Sequence, residues 1–245
     1  MRIMLTSYLG GAGKVDGVRK PSILVQDNGQ LSCLRSMWPE NANVLIVCAD
    51  PKDYDKNDKV CECLRQSFPM SGLSVSNIDK CDDRNCNIVD NLNDFNVLLL
   101  AGGHVPTQNK FMQQIKLRER LLNYNGVAVA WSAGSMNCAD IVYASPELDG
   151  EAVDPYYERW ITGLGLTNIN IYPHYQLLKD ECLDGLRVIE DITFVDSFTH
   201  EIVALNDGSY ILIDGDKTII YGEAYLIKDG KLTQICTNGE SRELL

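Results

Sequence analysis

Val127-Ala-Val-Ala-Trp-Ser-Ala-Gly-Ser-Met136 is an unbroken apolar run that stops on a serine. Uninterrupted rather than alternating apolar residues mark a strand buried on both faces, as a parallel sheet requires. The break at Ser132-Ala133-Gly134 then opens into a helical pattern. A serine on a tight strand-to-helix turn, with a small residue two positions later so the helix can close up, is the layout of a nucleophile elbow. The first glycine of the full G-x-S-x-G pattern is replaced by Ala130, which is also small. The other reading of the same serine is a helix N-cap.

The same strand type recurs upstream. Ile3-Met-Leu-Thr-Ser7 leads into Gly10-Gly-Ala-Gly13, and Val44-Leu-Ile-Val-Cys-Ala49 ends at Asp50-Pro51. Leu73-Ser-Val-Ser-Asn77 follows a helical pattern around 54–67, and Val97-Leu-Leu-Leu-Ala101 ends at Gly102-Gly103. With a further helical pattern over 110–123 supplying a crossover, the sequence predicts an α/β fold. Its core is a doubly wound, mostly parallel sheet flanked by helices, extending to about residue 145. Beyond it, the short strands 202–205, 209–213, 218–221 and 224–227 are joined by Asn206-Asp-Gly208, Asp214-Gly-Asp216 and Lys228-Asp-Gly230. Asp-Gly between short strands signals hairpins, so a C-terminal antiparallel β extension is expected. No linker or repeat interrupts residues 1–245, which read as a single domain.

A formal net charge of −12 and scattered basic residues exclude nucleic acid as a first reading, because that affinity rests on Lys and Arg. Nine cysteines are an odd number, none stands in CxxC, and the chain is long enough to fold without staples. They read as reduced thiols. Cys61 and Cys63 have no second pair at zinc-finger spacing, so no metal is expected. The N-terminus turns polar too soon for a signal peptide, and no apolar run reaches a membrane span. A cytoplasmic protein with no membrane partner is the expectation.

A second strand end, Leu98-Leu-Leu-Ala-Gly-Gly-His-Val-Pro-Thr-Gln-Asn109, carries adjacent glycines whose N–H groups can turn toward a ligand, as an oxyanion hole needs. A plain βα turn is the equal alternative. Neither this loop nor Gly10-Gly-Ala-Gly13 completes a dinucleotide or phosphate-loop motif, so no cofactor is expected. A hydroxyl nucleophile needs a base, and there are three histidines. His174 follows a predicted strand in Ile171-Tyr-Pro-His-Tyr-Gln176, His104 sits in the glycine loop, and His200 lies in Phe198-Thr-His-Glu201. The elbow favours His174.

Three segments in order, Leu99–Gln108, Ala130-Trp-Ser-Ala-Gly-Ser-Met-Asn137 and Tyr172-Pro-His-Tyr175, resemble the peptidase E family of serine peptidases. That family is related to the class I glutamine amidotransferase fold and more distantly to cyanophycinase. The resemblance extends to Ala204-Leu-Asn-Asp-Gly-Ser-Tyr210. It implies Ser132 as nucleophile, His174 as general base, and the N–H groups of Ala133 and of Gly102 or Gly103 as the oxyanion hole. The family places an acid about fifteen positions after the serine, which points to Glu147 as the third member, with Glu201 and Asp207 as rivals. Asp140 is set aside because it follows the serine on the helix side.

Relatives that cleave after an N-terminal aspartate carry an arginine-containing loop after the histidine. Here that segment, residues 176–188, offers only Lys179 and Arg187, with Arg159 the nearest cation before it. The resemblance thus implies a cofactor-free serine peptidase of small peptides, with Asp-X dipeptides as the family substrate, working through an acyl-enzyme on Ser132. The rival is a non-catalytic ligand-binding or sensing module on the same fold, since a fold does not fix a function. A glutamine amidotransferase is disfavoured because its elbow carries cysteine.

Overall fold

The computed structural model describes residues 1–15 and 18–244. Twelve strands matter for the site. They are β1 (Arg2–Thr6), β2 (Ala42–Val47), β3 (Val75–Cys81), β4 (Val97–Leu100), β5 (Val127–Trp131), β6 (Ile171–Tyr172), β7 (Ile202–Leu205), β8 (Tyr210–Asp214), β9 (Lys217–Tyr221), β10 (Ala224–Lys228), β11 (Lys231–Cys236) and β12 (Ser241–Leu244). The helices that pack on them or lead from them are α1 (Gln30–Met37), α2 (Tyr54–Met70), α3 (Val105–Gln114), α4 (Leu117–Leu121), α5 (Ala133–Asn137) and α6 (Tyr175–Leu178).

An eight-stranded sheet runs in the order β12-β9-β8-β1-β5-β4-β2-β3. The five strands from β1 to β3 are parallel, and β8, β9 and β12 extend the edge antiparallel. Alternate residues of each parallel strand enter different clusters, Leu45, Leu98 and Ala128 on one face, Ile46, Leu99 and Val129 on the other. Both faces are therefore buried, which is why these strands read as continuous apolar runs. Phe111 of α3 and Leu117 of α4 close the first face, while Leu34 of α1 and Phe68 of α2 close the second. A second sheet, β6-β7-β10-β11, packs beside the first.

The doubly wound, mostly parallel sheet is as the sequence predicts, with differences of detail. The 110–123 pattern is two helices, α3 and α4, separated by Lys116 in a left-handed conformation at φ 51°. The 73–77 run begins its strand at Val75 and continues to Cys81. The turns at Asp214–Lys217 and Lys228–Lys231 are hairpins, but Asn206-Asp-Gly208 is not one. β7 pairs with β6 and β10, whereas β8 pairs with β1 and β9, so this Asp-Gly turn carries the chain from the small sheet to the large one. The antiparallel extension is accordingly shared between two sheets. Among the described residues no helix is long and apolar enough to cross a membrane.

Candidate active site

The register of the large sheet lines up three strand ends. Thr6 of β1 lies opposite Trp131 of β5, and Ala130 opposite Leu100 of β4. Ser7, Ser132 and the Gly102-Gly103 pair thus emerge together beyond the carboxyl ends of adjacent parallel strands, where ligands of open α/β sheets bind. Ser132 sits at φ 51°, ψ −124° between β5 and α5, a strained backbone for a residue with a side chain. The turn is held by Ser132 N–H and the Ser135 hydroxyl, which both donate to the Thr6 carbonyl, at 3.1 and 2.9 Å. Gly134 is obligatory, because a Cβ there would lie 2.2 Å from the Leu100 carbonyl oxygen. This is the steric reason for the small residue two positions after the serine.

The small sheet delivers the other half. β6 and β7 are parallel, with Tyr172 opposite Ala204. His174 therefore leaves the sheet beside the segment that carries Asp207. His174 also adopts a left-handed backbone, φ 58°, at the start of α6. Its Nε2 is 3.0 Å from Ser132 Oγ and its Nδ1 is 2.7 Å from Asp207 Oδ1. Ser7 braces the pair. Its hydroxyl accepts the His174 N–H at 2.8 Å and donates to Asp207 Oδ1 at 2.7 Å. Asp207 N–H donates to Gln176 Oε1 of α6 at 2.9 Å. Burial alone raises the Asp207 carboxyl, but the hydrogen bond and charge of His174, with the Ser7 hydroxyl, outweigh it and hold the group below its ordinary value.

Serine, imidazole and carboxylate in this order form a proton relay of the triad kind. The imidazole partner is Asp207, not Glu147, and this corrects the acid expected from the spacing to Ser132. Glu147 lies on the loop after residues 141–143, where its own N–H and that of Leu148 donate to Glu151 Oε2 at 2.9 and 3.0 Å. Its carboxyl is pushed up to about 7, first by the loss of surrounding solvent and then by Glu151. Glu201 faces Lys228 at 3.3 Å and Asp140 faces Arg118 at 2.6 Å. Nor do the other histidines reach Ser132. His104 bonds Thr107 at 2.8 Å and Glu151 at 2.9 Å, and His200 stands edge-on to Trp160.

Sequence reasoning held Asp207 only as a rival for the triad acid and gave Ser7 no role. The available signals were a polar residue at the end of β1 and an Asp-Gly turn after β7.

Ala133 opens α5, so its N–H has no acceptor one turn back in the helix. The N–H groups of Gly102 and Gly103 take no protein acceptor among the described hydrogen bonds. Both glycines are packed too closely for a side chain: a Cβ on Gly102 would lie 2.9 Å from Ser132 Cβ, and one on Gly103 2.5 Å from Ala49 Cβ.

On the other side of Ser132 lies a cavity of about 470 Å³. Its lining includes Ser132, His174, Met136, Glu147, Leu177 and Val188. None of the three basic residues considered for substrate binding lines it. Lys179 is exposed at the end of α6, and Arg187 is held in a bidentate pair with Asp191 at 2.7 and 2.9 Å. Arg159 donates to the Ala152 carbonyl at 2.9 Å and lies over the Tyr157 ring. Among the described residues no group of three or more His, Cys, Asp or Glu has the geometry to hold a metal.

The crystal structure of a peptidase from an acI-B1 Actinobacterium is similar to this chain with a TM-score of 0.63 and 16% identity, over 99% of this chain and 96% of that one. A putative peptidase E protein from Listeria monocytogenes EGD-e is similar with a TM-score of 0.56 and 13% identity, over 89% of this chain and 96% of that one. At these identities the likeness is one of fold. No curated protein matches the chain significantly. The model of peptidase family S51 matches residues 41–221, a span that holds the serine turn, the glycine loop, His174 and Asp207. The chain therefore belongs to peptidase family S51, the peptidase E family, and is a serine-type peptidase.

Proposed function

We propose that the protein hydrolyses short peptides through an acyl-enzyme on Ser132, with His174 as general base and Asp207 as the triad acid. The observation that carries this reading is the continuous relay from Ser132 Oγ through both ring nitrogens of His174 to Asp207 Oδ1, at 3.0 and 2.7 Å.

Ser132 Oγ attacks the scissile carbonyl while His174 Nε2 takes its proton. Asp207 holds Nδ1–H and stabilises the imidazolium so formed. The carbonyl oxygen becomes an oxyanion, which the N–H groups of Ala133 and of Gly102 or Gly103 receive. Such donors are most effective because they are in place before charge develops. Collapse of the tetrahedral intermediate breaks the C–N bond, and His174 passes its proton to the leaving amine. A water molecule, deprotonated in turn by His174, attacks the ester and frees Ser132.

The experiment is a fluorophosphonate label followed by peptide mapping, with a pre-steady-state burst measured on an activated ester of a single amino acid. Label at Ser132, lost in His174→Ala, and a burst of leaving group near one per active site are expected. A label that ignores His174→Ala removes His174 as the base. Turnover without a burst, combined with no trapped acyl group, removes the covalent intermediate.

A further inference from the structure

The cavity beside Ser132 combines an apolar wall with a charge of one sign. Met136 and Val188 are buried members of the hydrophobic cluster beneath it, and Leu178 and Leu183 pack against the same cluster. Leu177, 60% exposed, forms the rim. The only charged side chains among its described lining residues, His174 aside, are Glu147 and Glu181. Such a pocket has a definite preference between the two ends of a short peptide. The residue on the acyl side of the first peptide bond carries the ammonium, and in a dipeptide the leaving residue carries the terminal carboxylate. Two carboxylates with no cation attract the first and repel the second.

We propose that this cavity receives the N-terminal residue of the substrate, that it selects an apolar side chain there, and that it rejects aspartate and glutamate. The inference rests on the serine-peptidase reading above and specifies its substrate class. The N-terminal ammonium lies toward Glu147. The side chain lies on Met136, Val188, Leu178 and Leu183, where each methylene removed from water strengthens binding. A second carboxylate in this space would face Glu147 and Glu181 with no cation in the described lining to pair with, and like charges repel. The volume, about 470 Å³, is in the range of small-ligand sites. Leu and Met satisfy all three conditions, and Asp fails the charge condition.

The test compares kcat/KM for Leu-Ala, Met-Ala, Ala-Ala and Asp-Ala on the full chain and on Leu177→Arg. That substitution is at an exposed position, so it introduces a cation at the rim without disturbing the core. In the unmodified enzyme Leu-Ala and Met-Ala are expected to exceed Asp-Ala by at least about tenfold, a typical discrimination for an apolar pocket. In Leu177→Arg the Leu/Asp ratio is expected to narrow by about tenfold, mainly through KM for Asp-Ala. Asp-Ala cleaved as well as Leu-Ala by a Ser132-dependent activity overturns the inference and leaves the peptidase reading standing. Cleavage of none of the four also overturns it. The fluorophosphonate label at Ser132 then tells whether the reading beneath falls as well.

Discussion

Ser7 and Asp207 are joined by a 2.7 Å hydrogen bond between parts of the chain 200 positions apart. The same hydroxyl accepts the backbone N–H of His174 at 2.8 Å, so one side chain fixes both the orientation of the carboxylate and the position of the histidine. Ser7→Ala should therefore lower kcat while leaving KM nearly unchanged. A hydrogen bond to a charged group contributes about 1.5–3 kcal/mol, which corresponds to about ten- to a hundredfold in rate if it is expressed fully. Ser7→Thr keeps the hydroxyl and should restore most of the activity. Equal losses in Ala and Thr variants would assign the effect to packing instead.

Asp207→Asn should lower kcat by about four orders of magnitude, as loss of the triad carboxylate does elsewhere. Ser132→Ala and His174→Ala should each do at least as much, and their combination should add little. Glu147→Gln should leave kcat within about tenfold of the parent. A large kcat loss in Glu147→Gln with a mild one in Asp207→Asn, from steady-state kinetics on one dipeptide, would reverse the two roles.

The pH dependence of substrate binding follows from Glu147, whose carboxyl is raised to about 7. Glu151 and the hydroxyls of Tyr157 and Tyr172 also face it, and the two tyrosines stay neutral because burial raises them far above neutrality. A raised carboxyl is neutral below its shifted value and charged above it. Attraction for a substrate ammonium is therefore gained as pH rises. KM for Leu-Ala should fall between about pH 6 and about pH 7.5, a range in which the substrate α-amino group, near 7.7–8.0, remains mostly protonated. Glu147→Gln should raise KM and flatten its pH profile. A profile identical in the two proteins would show that the carboxylate does not meet the ammonium.

Thiol alkylation offers a probe of the same cavity. Among the described residues none of the nine cysteines forms a disulfide. Cys138, on the turn beyond Ser132, is fully buried and its thiol is raised by that burial, so iodoacetamide should not reach it. Cys182 is exposed and lines the cavity. Alkylation should raise KM for Leu-Ala with little change in kcat, and Cys182→Ala should be resistant. Mass mapping of the carbamidomethyl group checks the site. Full inactivation that persists in Cys182→Ala would point to another cysteine.

The large sheet was legible because burial on both faces writes itself as runs such as Val97–Leu100 and Val127–Trp131. Ser132 was legible because a strained turn tolerates few residues around it. Asp207 was legible only as a rival. Asn206-Asp-Gly208 has hairpin chemistry, and its use as a bridge between sheets depends on pairings with β1 and β6 that lie far away in sequence. Glu147 carried the expected spacing from the serine, but Glu151 and the loop around it turn that spacing toward the cavity rather than the imidazole. Ser7 gave no signal beyond its place at the end of an apolar strand, since a brace is defined by what it touches.

The relay is also a seam. Ser7 and Ser132 belong to the large sheet, and His174 and Asp207 depart from the small one. The hydrogen bonds that join Ser132 to the imidazole, and Ser7 to the His174 backbone N–H and to Asp207, cross from one sheet to the other. Separation by a single ångström breaks such bonds, yet leaves each ladder and each helix whole. The alignment of the relay thus depends on how the two sheets pack together, through the cluster that Val203 and Leu205 share with Leu5 and Ile211. A mild perturbant should silence the enzyme before any change registers in its circular dichroism, and its removal should bring activity back without refolding.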